Sequence, residues 1–126
     1  MLATGGIGSF FDVDRGPDWV FVRLTSADVD WTESPPVAET IWNVLEQSFT
    51  YRVVVELDRV TLMRSYLLGQ LVLLARRVHA HGGILRICGL SAHNQEMVRL
   101  SRLDELLPNY QDRGEAVMCS SPMRPR

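Results

Sequence analysis

Two periodicities run along this chain, and their order predicts its elements. Ile7 to Val13 and Trp19 to Leu24 are short apolar stretches separated by DRGPD. Gly16 and Pro17 punctuate a turn there, so the pair predicts a β-hairpin. A polar segment, TSADVDWTESPP, ends at Ser34-Pro35. Serine as N-cap with proline at the first helical position predicts a helix start. From Val37 to Phe49 the period is helical. Val37, Ala38, Ile41, Trp42, Val44, Leu45 and Phe49 share one stripe, opposite Glu39, Thr40, Asn43, Glu46 and Gln47. Such a helix lies on a sheet.

Val53 to Leu57 is apolar on both faces, which predicts an interior strand. After a short turn, Ser65 opens a helix to about Ala80, stopped by Gly82-Gly83. Leu67, Leu68, Leu71, Leu74, Ala75 and Val78 are its expected core face, with Val72 at the margin. Tyr66, Gly69, Gln70, Leu73, Arg76 and Arg77 lie opposite. Tyr66 and Leu73 are apolar groups on an expected solvated face, which points to a contact surface. Ile84 to Cys88 predicts a further strand, and Ser91 caps a helix through about Leu100. Tyr110 and Asp112 to Met118 predict a strand remnant and a short helix, and residues 119–126 a frayed tail. Strands joined through crossover helices imply a single α/β domain, core about residues 7–118, with a mixed, largely parallel sheet and helices packed on it.

Composition narrows the function classes. The chain has 126 residues, 46% of them hydrophobic, enough for one core. No apolar run reaches the roughly 18 residues of a membrane span. The start, MLATGGIGSFFDVD, lacks a basic n-region and reads poorly as a signal peptide. Cys88 and Cys119 form no framework of bridges. The expectation is a cytoplasmic protein. All 13 basic residues are arginine. Residues 1–63 hold four Arg against ten acids, and residues 64–126 hold nine against five. The second half is mildly basic, but its arginines are scattered and do not interleave with aromatics, unlike a nucleic-acid-binding stripe.

Catalytic and metal chemistry find little support. His79 and His81 are two apart and project from different helical faces, and His93 lies in a later helix. No Cys-x-x-Cys or His-x-x-x-His spacing occurs. Gly5-Gly6-Ile7-Gly8 is followed by no Gly-Lys-Ser/Thr, and Gly82-Gly83 follows a helix instead of opening one. Ser65 lacks a Gly-x-Ser-x-Gly elbow. Glu56 and Asp58 share one strand face, with Asp58 suited to cap the turn. The reading is non-catalytic, with no cofactor and no metal. Ser65 keeps two meanings. A hydroxyl at a helix start meets free N–H groups and the positive dipole end, so it is either a plain cap or a place to hold a phosphate.

The run VVVELDRVTLMRSYLLGQLVLLARRVHAHGG, followed by ILRICGLSAHNQEMVRLSRLDELLPNY and RGEAV, resembles a STAS domain of the anti-sigma-factor antagonist type. The family pattern is an apolar strand, a small loop, Asp-Ser-Ser-Gly-Leu-Gly and an amphipathic helix. The resemblance spans about Asp18 to Met118. It places Ser65 at the family's phosphorylatable serine, with Met63 and Gly69 matching their positions. Arg64 replaces the family's Asp, Tyr66 its second Ser, and Leu67 the following Gly. The loop after the second strand reads Ser26-Ala27-Asp28-Val29.

What the resemblance implies is partner switching. The unphosphorylated domain binds a kinase-like regulator through Asp28, Arg64, Ser65, Tyr66, Gln70 and Leu73, and phosphorylation of Ser65 releases it. The phosphate adds about −1.5 to −2 charges. It is tolerated at the helix N-terminus but repelled or costly to desolvate at an interface. The alternative is a degenerate STAS module, either a constitutive protein-interaction subunit or a component binding a small ligand such as a nucleotide or lipid.

Overall fold

A computed structural model describes residues 11–24 and 36–118. Within them the order is β1 (Phe11–Arg15), β2 (Val20–Leu24), α1 (Val37–Ser48), β3 (Arg52–Glu56), α2 (Ser65–Ala80), β4 (Ile84–Cys88), α3 (Ala92–Leu100), β5 (Asn109–Tyr110) and α4 (Arg113–Met118). The five strands form one sheet in chain order. β1 runs antiparallel to β2, and every later pairing is parallel. The expected mixed, largely parallel α/β sheet is the observed one.

Alternation along the strands separates two apolar layers. Val53 and Val55 of β3, with Leu85 and Ile87 of β4, face a large cluster that takes in the buried sides of α1 and α2 and Val98 of α3. Val54 and Cys88 point the other way, into a smaller cluster with Trp19, Tyr110 and Ala116 of α4. β3 is therefore buried on both faces, and it pairs with β2 on one side and β4 on the other.

The α2 core face is as the period predicts, with Leu67, Leu68, Leu71, Leu74, Ala75 and Val78 all buried. Its stop is the glycine pair: Gly82 adopts φ +73°, and a Cβ on Gly83 would stand 2.1 Å from the Tyr51 carbonyl oxygen. Ser91 caps α3 as expected, its hydroxyl accepting the Asn94 N–H at 3.1 Å.

Several boundaries differ from the sequence reading. β1 continues to Arg15, beyond the expected end at Val13, and the turn closes through Gly16 N–H to the Trp19 carbonyl at 2.8 Å. Residues 7–10 lie outside the described residues. The N-cap position of α1 is Pro36, not Ser34, which also lies outside them together with Pro35. Phe49 is not in the buried stripe. It follows the last helical residue with φ 53°, and this left-handed turn leaves its ring 87% exposed. Among the described residues no helix is long and apolar enough to cross a membrane.

Candidate functional site

Parallel strands bring their following loops to one rim of the sheet, and Ser65 stands on that rim. After β3 the chain turns through Asp58 and Arg59. Val60 and Met63 then drop back into the core. Asn94 of α3 fixes this turn from the side. Its side chain is fully buried, accepts the Met63 N–H at 2.9 Å and donates to the Val60 carbonyl at 3.1 Å. The turn is thus bound to α3 before α2 begins.

Ser65 is the first residue of α2, and Arg64 occupies the N-cap position in extended conformation (φ −91°, ψ 165°) without a side-chain cap bond. The first helical bond is Leu68 N–H to the Arg64 carbonyl at 3.0 Å. The sequence admits Ser65 as either a cap or a phosphate site. The structure puts it one position past the cap, exposed, with its hydroxyl unused for capping. The first turn of α2 carries no acid to offset the positive helix end.

The other expected site residues divide by position. Arg64 is exposed beside Ser65. Leu73, two turns further along α2, is 57% exposed, and Leu62 in the turn is 44% exposed. Tyr66 is half-buried against the main core. Gln70 faces α1, where its side-chain oxygen accepts the Ala38 N–H at 2.9 Å and so caps that helix. Asp28 lies outside the described residues.

A second polar feature occupies the same rim on the α4 side. Glu56, only 3% exposed, takes Arg23 at 3.1 Å on one oxygen and Arg113 at 2.6 Å on the other. Arg23 also reaches Asp58 at 3.2 Å, and Arg113 reaches Asp14 at 2.8 Å. The hydrogen bond to Glu56 raises the already high pKa of Arg113. The chain joins four elements: β1, β2, β3 and α4. It borders a cavity of about 150 Å³ that also meets Cys88 and Asp112. Burial, and then the carboxylates of Glu56, Asp58 and Asp112, push the Cys88 thiol up to about 12. That makes it a poor nucleophile at neutral pH. Among the described residues no three His, Cys, Asp or Glu side chains are placed to hold a metal ion.

Sequence reasoning missed Asn94 and the arginine partners of Glu56. Asn94 had only its place inside the first turn of α3 to mark it. The Glu56 pairs join residues 33 and 57 positions apart.

A sheet of this order, with a buried parallel strand leading to an exposed serine at a helix start, defines a class that comparison with known proteins identifies. The family model described as "Mlab, STAS domain" matches residues 11–108, and the chain belongs to the STAS domain family. No curated protein matches it. Among solved structures it is similar to the Thermotoga maritima protein TM1081, with TM-score 0.75, 16% identity and 86% of each chain covered. An anti-sigma-factor antagonist (STAS) domain protein from Planctomyces limnophilus gives 0.73 and 20% identity, covering 86% of this chain and 95% of that one. The anti-sigma factor antagonist SpoIIAA in its unphosphorylated form gives 0.67 and 18%, covering 85% and 92%. The Bacillus SpoIIAA structure in the phosphorylated form is also similar, at TM-score 0.61. At these identities the likeness is one of fold.

Proposed function

We propose that this chain is a non-catalytic signalling module that binds a regulatory, kinase-like protein partner through the rim around Ser65. Phosphorylation of Ser65 releases that partner. The observation that carries the reading is the placement of Ser65: exposed, at the first position of α2, and not consumed as a cap. A serine serving only to start the helix would sit at the N-cap and accept a backbone N–H, as Ser91 does for α3. The similarity to SpoIIAA, whose fold is found in both unphosphorylated and phosphorylated forms, supports a fold that tolerates the modification.

The physics of release is local. A phosphate on Ser65 meets the positive end of α2, worth roughly 0.3–1 kcal/mol to the domain itself. At a closed interface the same dianion has to be desolvated, at several kcal/mol if unpaired. Each 1.4 kcal/mol or so is a factor of ten in affinity, so release needs no large change of shape. Arg64 gives the site its own character. Exposed and next to the serine in sequence, it offers a phosphate a cation where the family pattern has an acid, which changes partner choice.

Affinity capture from the source cell with wild type, Ser65→Ala and Ser65→Asp, together with phosphopeptide mass spectrometry, tests this. Wild type and Ser65→Ala should retain the same partner and Ser65→Asp should lose it. Equal capture by all three rules the switch out.

A further inference from the structure

Gly69 is the fifth of the 16 residues of α2, on its exposed side, and nothing inside the fold requires a glycine there. A Cβ built on it meets no atom within 4 Å, and its backbone is not in the left-handed region. A mid-helix glycine is about 0.8–1 kcal/mol less favourable than alanine. Gly82 and Gly83 at the end of the same helix have reasons within the domain: a positive φ and a close approach to Tyr51. Gly69 has neither.

Its neighbours show what the gap opens onto. At 100° per residue, Ser65, Gly69, Leu73 and Arg76 fall within an arc of about 80°. All four are exposed. The adjoining residues turn towards α1: Gln70 binds Ala38, and Arg77 binds Glu39 at 2.9 Å. What remains is a stripe with a hydroxyl at one end, a backbone gap in the middle, then an exposed leucine and a cation. α2 contains no acid. Neither Arg64 nor Arg76 takes part in an ion pair among the described residues.

We infer that Gly69 is the crossing point of the partner's docking element, an amphipathic helix whose flank is acidic. The inference rests on the partner-binding reading given above and names the chemistry of that partner. Helices pack 8–10 Å apart according to the side chains at the contact, and a glycine sets the near end of that range. The partner helix crosses at Gly69, seats an apolar residue against Leu73, and places its carboxylates towards Arg64 and Arg76. Charge complementarity selects this occupant over a second copy of the chain, since two such stripes face each other with arginines only.

The test combines stability with cross-linking. If the gap serves the partner alone, Gly69→Ala raises the melting temperature of the isolated protein by about 3–6 °C. A fall in melting temperature overturns the inference, because the fold itself then needs the glycine. A benzoylphenylalanine cross-linker at position 73, expressed in the source cell, should label a helical, acidic peptide of one other protein. Adding Gly69→Leu should reduce that product at least about tenfold. A basic or non-helical peptide, a second copy of this chain, a lipid adduct, no product, or a product undiminished by Gly69→Leu each overturns it. Ser65→Asp in the same assay separates the two claims. Loss with Ser65→Asp but not with Gly69→Leu sinks only the crossing point, and the opposite pattern sinks only the phosphate switch.

Discussion

Asn94 holds Met63 in place: its side-chain oxygen accepts the Met63 N–H at 2.9 Å while its amide donates to the Val60 carbonyl. One buried side chain therefore satisfies both senses of backbone polarity in the turn that delivers Ser65. Asn94→Ala leaves a donor and an acceptor without their protein partner in a sealed site. The expected loss is about 2–4 kcal/mol, read by urea unfolding. Amide exchange at Met63 should accelerate more than exchange in β3. A loss under about 0.5 kcal/mol would show that the turn holds itself.

Glu56 joins Arg23 and Arg113 across three parts of the chain. Glu56→Gln keeps the size but removes the buried charge that the two guanidinium groups share, while Arg23 keeps Asp58 and Arg113 keeps Asp14. With both arginines partly solvated and still paired elsewhere, the expected loss is about 1–3 kcal/mol. Thermal unfolding measures it, and Trp19, which shares the smaller cluster with α4, should become more quenchable as that helix loosens. An unchanged melting temperature would mean that the pairs contribute nothing net.

Cys88 predicts a pH dependence. Burial raises its thiol to about 12, against about 8.5 for a free thiol. Between those values the unfolded chain has lost the proton that the folded chain keeps, so stability falls as pH rises. The contribution is complete below about pH 8.5 and disappears as pH approaches 12. In denaturant melts, wild type should lose stability relative to Cys88→Ala as pH rises through that window. With Cys119 replaced by serine, the remaining thiol should react with a disulfide reagent at pH 8 only upon unfolding. Rapid reaction of the native protein would contradict the burial.

Ser65→Asp should separate folding from binding. An acid at the first helical position opposes no other charge in that turn and meets the positive end of α2. The isolated domain should be unchanged or more stable, by roughly 0.3–1 kcal/mol, even though capture of the partner is lost. A destabilised domain would mean that the rim cannot carry negative charge.

The sequence was most legible where burial follows period. The six core residues of α2 are its buried ones, and β3 reads as interior because Val53, Val54 and Val55 leave no polar face. Legibility ended where a residue's fate depends on one dihedral or on a distant partner. Phe49 fits the apolar stripe of α1, but the helix stops one residue earlier and a left-handed turn points it outward. Asn94 looks like any polar helix residue until the turn at Val60 to Met63 is laid against it. Glu56 and Asp58 read as a carboxylate pair because Arg23 and Arg113 are remote in sequence. Ser65 was legible as a helix start, whereas its displacement from the N-cap depends on the φ and ψ of Arg64.

The most direct measurement is the dissociation constant of the recovered partner for two forms of the protein, one with serine and one with genetically encoded phosphoserine at position 65. Affinity should fall at least about tenfold, a difference of about 1.4 kcal/mol or more, while the melting temperature of the phosphorylated form does not drop. Equal affinities for the two forms would contradict a rim built to be read through Ser65.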